Sequence, residues 1–505
     1  MKISRAGQTQ GLFVLILLLA LALRVIYFTH DRFHADEALY AGWALRILDD
    51  DPLLLNQPVD KPPLFLYALA GAFKLFGPNQ VAARWINLAC SMIGIALVYH
   101  LSDTPPLSTP PTSGKDKRGI WAALFLACSP FDILFARTAF TDSLLVMWWL
   151  AALVAAARGR WSWAGLLSGL AFAAKQHAVM LIPLVWIIGI QHTRQPRLRF
   201  AIRSFVAFGV GFLIPWGLVT WWDAARWAIR PGYWDQSFLS YGGLRWAAIA
   251  DWPQRLVEWL GWARYLTGGW GLGLLFVAGT VGLAAGQEKS RRSAAAWVFF
   301  ILGYIIIHIV LNFSIWDRYL LPLAAPVALL GAQGIAQVQC RVGHHRYTKN
   351  ILSAALVLLA ALVGLRAAFN GYPIGGEHWA YQGIDEIAAY LKDNARPGAA
   401  LYHHWLRWHY SYYLHGVDLD LRWWRDGAHL RREACRTAPT REQYIVLPDW
   451  RPLDPAIAGV RFEPILQSER LTLYRVVCPR SRRPKEPPLV EPPLTRLACL
   501  RRGGR

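Results

Sequence analysis

Several features of soluble proteins are scarce in this sequence, and each scarcity excludes a class of protein. Charged residues make up only 17% of the 505 residues, against about 25% in a typical soluble chain. Six cysteines in a chain of this length cannot form a dense disulfide framework. Neither a glycine-rich phosphate loop nor a spacing typical of metal ligands is found. We therefore expect no soluble nucleotide-binding domain, no metal centre and no cofactor.

Long apolar blocks dominate instead. Hydrophobic residues account for 55% of the chain, and a helix needs about 20 mostly apolar residues to cross a bilayer. The 26 tryptophans and 19 tyrosines fit a protein with much surface at a lipid–water boundary. The blocks predict a polytopic α-helical membrane protein with eleven spans. These spans are 11–28, 80–101, 119–136, 139–157, 162–174, 177–191, 201–222, 266–286, 294–313, 318–337 and 351–369.

The net charge of +21 could indicate a nucleic-acid partner, but its distribution contradicts that interpretation. If the N-terminus is cytoplasmic, the six cytoplasmic segments carry 16 Lys or Arg and three acids, as the positive-inside rule requires. Residues 1–28 predict a signal anchor, because their apolar run lacks a small-residue cleavage site. We therefore expect an integral protein of the bacterial inner or plasma membrane, surrounded by membrane lipids and without a nucleic-acid partner.

The odd number of spans places the C-terminal part outside the cytoplasm. Residues 370–478 are less apolar and predict a small mixed α/β domain. Four apolar residues within 383–392 share one helical face. The segments 444–447 and 471–477 have the composition of strands.

The last residues predict a disordered tail, and the sequence does not decide whether two cysteines before it form a disulfide. Residues 479–505 hold six prolines and eight basic residues, which is typical of a disordered segment. Cys435 and Cys478 could pair in an oxidising compartment, and two free thiols are the alternative. The predicted domain boundaries are 1–369 with outer loops 29–79 and 223–265, then 370–478, then 479–505.

Acidic residues cluster where the first span ends on the outer side. Asp36 and Glu37 are adjacent, and neighbouring carboxylates close to a low-dielectric region repel each other. One of them should therefore have a raised pKa or a cationic partner, which suits a general base. The alternative is N-terminal capping, since 38–48 has a helical pattern and acids favour the first turn of a helix.

Further charged residues lie on the same predicted side. Lys61 precedes two prolines at the membrane surface and could bind a lipid-linked phosphate as a point charge, or contact lipid headgroups. Asp142 opens a helix and is either a cap or an acid with a cationic partner, for which Arg137 is available. Lys175 and His177 form a tight outer turn without metal-ligand spacing.

The last outer element opens the tenth span. Arg318 and Tyr319 offer several hydrogen-bond donors that can clamp a phosphate, although interfacial anchoring would select the same residues. The Trp- and Arg-rich segment 221–264 predicts an interfacial amphipathic cover. Independent caps should occur on both membrane faces, yet these polar elements share the outer one. This asymmetry predicts a single outward-facing site for a phosphate-bearing lipid.

Four motifs follow one another along residues 10–340. They are DEALY at 36–40, KPPLFLY at 61–67, ARTAFTD at 136–142 and RYLLP at 318–322. This ordered set resembles the dolichyl-phosphate-mannose–protein mannosyltransferase-like membrane glycosyltransferases (family 39), which include the aminoarabinose lipid A transferase. The C-terminal domain does not resemble the lumenal domain of the mannosyltransferases, so the class of acceptor stays open.

The resemblance implies the GT-C fold, a polyprenyl-phosphate-linked sugar as donor and a lipid, glycan or protein acceptor outside the cytoplasm. Direct displacement of the phosphate would invert the anomeric carbon. The candidate site residues would act as acids at the reacting centre, as ligands of the donor phosphate, or in support. They are Asp36, Glu37 and Asp142 in the first group, Lys61, Arg318 and Tyr319 in the second, and Arg84, Arg137, Lys175 and His177 in the third.

Two other functions compete with glycosyl transfer. A transporter or lipid flippase should place ionisable or helix-breaking residues near the bilayer midplane, often in two symmetrical halves. Here the ionisable residues gather at one end of the predicted spans, and no half-repeat is evident. A protein that binds polyprenyl phosphate without catalysis is compatible with the same sequence.

Overall fold

The computed structural model describes most of the chain as one helical part followed by a smaller α/β part. The described residues are 5–102, 118–192, 198–241, 245–269, 273, 288–341, 346–437, 441–451 and 460–478. The predicted tail at 479–505 and most of the predicted span 266–286 lie outside them.

The helical part is built from the apolar blocks. Its helices are α1 (Arg5–Val25), α2 (Ala35–Asp49), α3 (Leu64–Phe76), α4 (Gln80–Ser102), α5 (Arg118–Ala127), α6 (Pro130–Ala136), α7 (Asp142–Ala157), α8 (Trp161–Ala174), α9 (Ile182–Gln191), α10 (Leu198–Ala224), α11 (Tyr233–Tyr241), α12 (Trp252–Ala263), α13 (Glu288–Val310), α14 (Ala324–Arg341) and α15 (Arg346–Ala368).

Apolar helices of spanning length confirm the prediction of a mostly helical membrane protein. Among the described residues, five helical stretches are long and apolar enough to cross a bilayer, or six if a bent pair forms one span. Five further apolar helices are shorter, and four of them coincide with predicted spans. The predicted total of eleven spans stays a prediction.

Within the predicted span 119–136 the chain breaks into α5 and α6, which meet at a bend of 55°. Pro130 begins α6 and leaves carbonyl groups at the end of α5 without helical partners. The buried Arg24 fills that gap: it donates to the carbonyl of Ala127 at 2.9 Å and pairs with Asp132. Ser91 accepts a further hydrogen bond from Arg24 at 2.7 Å. The bend is thus stabilised from a neighbouring helix.

Helices α8 and α10 pack backbone against backbone. A Cβ atom at Gly165 would overlap the carbonyl of Phe208, and one at Gly211 would overlap the carbonyl of Ser162. Small residues of this kind replace the hydrophobic effect as the basis of helix association in lipid, since they allow close van der Waals packing.

The C-terminal α/β part contains one sheet with helices on both faces. Its elements are α16 (Ile384–Asn394), β1 (Ala399–His403), α17 (Arg407–Tyr413), β2 (Leu419–Trp423), α18 (Gly427–Arg436), β3 (Gln443–Pro448), β4 (Arg461–Ser468) and β5 (Leu471–Val477). The strand order is β2-β1-β3-β5-β4. β1 runs parallel to β2 and β3, whereas β5 is antiparallel to β3 and β4.

Alternating residues of β1 fill the two layers of this part. Leu401 packs with the buried face of α16, and Tyr402 packs with α18 on the opposite face. The predicted helix and both predicted strands are therefore present, and the four apolar residues of the helix are buried together. Of the two alternatives for Cys435 and Cys478, the structure has the disulfide, which joins α18 to the residue after β5.

Helix α17 holds the α/β part against α2. A ring nitrogen of His409 lies 2.9 Å from the carbonyl oxygen of Phe33, and the hydroxyl of Tyr413 accepts from the amide of Phe33 at 3.4 Å. Gly42 faces Ser411, where an added Cβ would lie only 3.2 Å from the Ser411 Cβ. The start of α2 is thus fixed from the α/β side as well as from the membrane side.

Candidate functional site

The first turn of α2 is built by a reciprocal cap. Nδ1 of His34 accepts from the amide of Asp36 at 3.1 Å, and Oε2 of Glu37 accepts from the amide of His34 at 2.8 Å. Glu37 is buried and also binds Arg84 through two contacts of 3.1 and 3.2 Å. Its other oxygen accepts from the amide of Ala139 at 2.7 Å. The capping interpretation thus holds for Glu37, because both of its carboxylate oxygens accept hydrogen bonds from the protein itself.

Asp36 turns to a different partner, Arg318, with which it forms an ion pair. Burial alone would raise the pKa of the Asp36 carboxyl, but the charge and hydrogen bond of Arg318, with His34 and Lys61, hold that pKa well below its usual range. The guanidinium of Arg318 also lies 5.2 Å from the ring centre of Phe140. Within the described residues, the buried Nε of Arg318 has no hydrogen-bond partner. One donor of the guanidinium is thus left unsatisfied within these residues.

Asp142 pairs with Lys175, at 2.6 Å between Oδ1 and Nζ. The pairing of Asp142 with Arg137, which the sequence offered, is wrong. Arg137 donates instead to the carbonyl oxygens of Ile26 and Ala368 at 2.7 and 2.8 Å. The side chain of Arg137 therefore supports the scaffold. It points away from Asp142 because it belongs to the end of α6, where backbone acceptors of other segments converge.

Burial lowers the pKa of the Lys175 ammonium to about 8, although the charge of Asp142 opposes that shift. The neighbouring charges of Arg318 and Lys61 lower this pKa further. Lys175 thus lies in a positively charged environment with one compensating carboxylate.

The ring of Tyr319 contacts both Lys175 and His177. Its ring centre lies 4.6 Å from Nζ of Lys175 and 4.7 Å from the ring centre of His177, with which it stacks. The backbone carbonyl of Tyr319 accepts from the hydroxyl of Tyr304 at 2.7 Å. His177 is half-buried, and both of its buried ring nitrogens lack a partner in the part of the chain that the structure describes.

Lys61 is buried, with only 3% of its surface exposed, which does not fit a lysine that extends to lipid headgroups. Its ammonium lies 2.6 Å from the carboxylate of the preceding Asp60. Because the charge of Lys61 affects the pKa of both Asp36 and Lys175, the three side chains lie in one electrostatic neighbourhood. The structure therefore brings Asp36, Lys61, Lys175 and Arg318 together from four distant positions of the chain.

The sequence pattern did not predict two contacts of Asp317 next to Arg318. Asp317 accepts from the amides of Arg318 and Gly375 at 2.7 and 2.8 Å, and so joins the Arg318 turn to the segment that precedes α16. Gly375 has a positive φ of 88°, which a side chain would disfavour. The glycine pair at 375–376 was the available signal. No group of three or more metal-ligating side chains occurs among the residues with described positions.

Solved structures of sugar transferases are similar to this chain in shape. ArnT from Cupriavidus metallidurans in the apo state matches with a TM-score of 0.63 at 14% identity, covering 94% of this chain and 98% of ArnT. The same enzyme bound to undecaprenyl phosphate matches with a TM-score of 0.59 at 13% identity and the same coverage. The arabinofuranosyltransferase AftD from Mycobacteria matches with a TM-score of 0.52 at 14% identity, covering 94% of this chain and 40% of AftD.

These matches assign the chain to the membrane proteins with the GT-C fold of glycosyltransferases. Residues 60–221 match the model of the dolichyl-phosphate-mannose-protein mannosyltransferase family, so the resemblance predicted from the sequence is confirmed. No curated protein matches the chain with significant sequence similarity.

Proposed function

We propose that this protein transfers a sugar from a polyprenyl-phosphate-linked donor to an acceptor outside the cytoplasm. The observation that carries the proposal is the pairing of Asp36 with Arg318 beside two further buried cations, Lys61 and Lys175. Three buried cations meet at one site, and a phosphate monoester or diester, which has the charge and acceptor geometry that Arg and Lys recognise, would compete with their carboxylate partners for them.

The leaving phosphate would be stabilised in place. Arg318, with its unpartnered Nε, and Lys61 would bind its oxygens, where negative charge grows as the glycosidic bond breaks. Such fixed charges act strongly because the site is shielded from water. Tyr319 would place Lys175 and His177 against the same phosphate.

Donor binding would also activate Asp36. In the free protein Arg318 holds the pKa of Asp36 low, so that this carboxylate is a weak base. Once the phosphate shares Arg318, the pKa of Asp36 rises and the carboxylate can accept the proton of the acceptor hydroxyl. The oxygen then attacks the anomeric carbon as the phosphate departs, with inversion. Glu37 and Arg84 would position this base, and Asp142 would hold Lys175.

The proposed domains follow from the same scheme. Residues 1–369 form the transferase, and 370–478 lie outside the cytoplasm, above the site. The disulfide between Cys435 and Cys478 supports that location, because disulfides persist in oxidising compartments. The basic bias of the predicted cytoplasmic loops supports it independently.

Mass spectrometry of lipids and glycans from a deletion strain tests the function. We expect one polyprenyl-phosphate sugar to accumulate and one envelope modification to disappear, and the purified protein should join the two in detergent. If the deletion changes neither pool, or if the purified protein moves the donor between leaflets without transferring sugar, the proposal is wrong.

Lys61→Ala should raise the KM for the lipid-linked donor by about 10- to 100-fold. A hydrogen bond to a charged group contributes about 1.5–3 kcal/mol, and the substitution removes the ammonium that would bind the donor phosphate. Initial rates against donor concentration check this, with Lys74→Ala on the exposed side of α3 as the matched control. An unchanged KM would make Lys61 a structural partner of Asp60.

The low pKa of Lys175 predicts an alkaline limit. As the pH rises through about 8 the ammonium of the free enzyme loses its proton, so kcat/KM should fall by about tenfold per pH unit above that point. The bound phosphate restores the proton, so kcat should stay nearly flat. Lys175→Arg should abolish the fall, because a guanidinium keeps its charge. The same decline in that variant would exclude Lys175 as its cause.

A further inference from the structure

The carboxyl ends of the three parallel strands carry a concentration of exposed aromatic side chains. Trp405 follows β1, Trp423 ends β2, and Trp450 follows β3. They are 43%, 51% and 36% exposed, although burying an aromatic side chain is normally favourable. The carboxyl edge of parallel strands is also where open α/β sheets bind ligands. We call His404, Trp405, Trp423, Trp424, Trp450 and Arg451 the aromatic edge.

The rings of the aromatic edge are held in fixed positions. The guanidinium of Arg451 lies 3.9 Å from the ring centre of Trp405. The ring of His404 lies 4.4 Å from that of Trp405 and 5.0 Å from that of Trp424, and its Nδ1 lies 2.7 Å from the carbonyl oxygen of Trp424. Groups ordered before binding lose less conformational entropy when a ligand arrives.

The aromatic edge is connected to the reacting centre. Trp450 donates through Nε1 to the carbonyl of Ala380 at 3.1 Å, and its ring centre lies 6.3 Å from that of Tyr381. On the other side, the ring of Tyr381 lies 6.3 Å from the ring of His34, whose Nδ1 caps the amide of Asp36. A chain of aromatic side chains therefore leads from Asp36 to the edge of the sheet.

The charges around the aromatic edge are mixed in sign. Asp426 pairs with Arg425 at 2.8 Å, and Asp449 pairs with Arg470 at 2.7 Å. An anionic lipid surface selects cations, whereas paired acids and bases can bind the hydroxyl groups of a neutral ligand from both sides. Flat rings with polar neighbours fit a sugar, which has an apolar C–H face and a polar rim.

We propose that the aromatic edge binds an oligosaccharide and holds a glycan acceptor whose end reaches Asp36. The binding itself stands on the geometry of the C-terminal domain, and its role as an acceptor site rests on the proposed function. The acceptor class left open by the sequence would thereby be a glycan, or a lipid that carries one.

Binding to the full-length protein in detergent tests the inference, with neutral hexasaccharides of glucose, galactose and mannose units as probes. We expect at least one to bind, and Trp405→Ala/Trp423→Ala to weaken that binding at least tenfold. The matched double variant Trp163→Ala/Trp221→Ala removes two tryptophans on α8 and α10 that are even more exposed, at 57% and 66%, and should bind as the wild type does. Failure of all three probes, or equal binding by both double variants, overturns the inference.

Two further measurements separate the remaining outcomes. In nanodiscs containing brominated phosphatidylcholine, fluorescence quenching that is lost in Trp405→Ala/Trp423→Ala would show that the aromatic edge is a membrane anchor, which contradicts saccharide binding. The Asp36→Asn variant should bind the hexasaccharide unchanged. If Trp405→Ala/Trp423→Ala loses saccharide binding but still transfers sugar to its acceptor at the wild-type rate, the acceptor role of the aromatic edge is wrong and the proposed function stands.

Discussion

Asp36→Asn should lower kcat for sugar transfer by about 10²- to 10⁴-fold, the range that general-base catalysis contributes. The substitution keeps the size of the side chain and removes the basic oxygen. It also removes the carboxylate that competes with the donor phosphate for Arg318. The KM for the donor should therefore stay the same or fall, and a loss of kcat with an unchanged or lower KM distinguishes a missing base from a damaged binding site.

Steady-state rates and donor binding by the same preparation check this prediction. Asp50→Asn, at the exposed end of the same helix, is the matched control and should retain full activity. Because Asp36→Asn leaves Arg318 buried without a counter-charge, the variant should unfold at a lower temperature, and undecaprenyl phosphate should restore more stability to it than to the wild type. Normal turnover in the variant would remove Asp36 from the mechanism.

The location of the site could be predicted because charged residues are costly in a bilayer and stand out in an apolar sequence. Asp36, Lys61 and Arg318 are far apart in the chain, yet each follows or opens an apolar block on the same predicted side. The structure places them in one neighbourhood. Periodicity likewise located the buried face of α16, since amphipathic spacing depends on local sequence alone.

Partners could not be predicted in the same way, because pairing depends on the direction of side chains after each bend. Arg137 is close to Asp142 in the sequence, but Asp142 pairs with Lys175, 33 positions further on. The break between α5 and α6 was also not predicted, because the donor that Arg24 supplies to the carbonyl of Ala127 comes from another helix. Such compensation is visible only in three dimensions.

The contribution of the α/β part was the least predictable feature. Its strands have ordinary patterns, but nothing in them shows that α17 packs on α2. That contact places Tyr381 beside His34 and brings the α/β part next to the first turn of α2. The relative position of two segments depends on shape complementarity between distant surfaces, which one sequence does not encode in any local pattern.

Arg318→Gln should lower kcat/KM at neutral pH by at least about 100-fold, the upper end of what one charge-assisted contact to the donor phosphate contributes. Asp36 adds a second, pH-dependent loss. Without Arg318 the largest remaining influence on Asp36 is burial, which raises the pKa of its carboxyl. A carboxyl with a raised pKa is protonated up to a higher pH and cannot act as a base below it.

The acid limb of the pH profile of kcat/KM should therefore move to higher pH in Arg318→Gln, and part of the lost activity should return as the pH rises. Rates measured across the neutral range check this, with Arg46→Gln, the exposed partner of Asp50 on α2, as the matched control. A uniform loss at every pH would mean that Arg318 binds phosphate without controlling Asp36. Since the wild-type pair keeps Asp36 ionised but weakly basic until a phosphate arrives, the shift of this limb measures the coupling between donor binding and activation of the base.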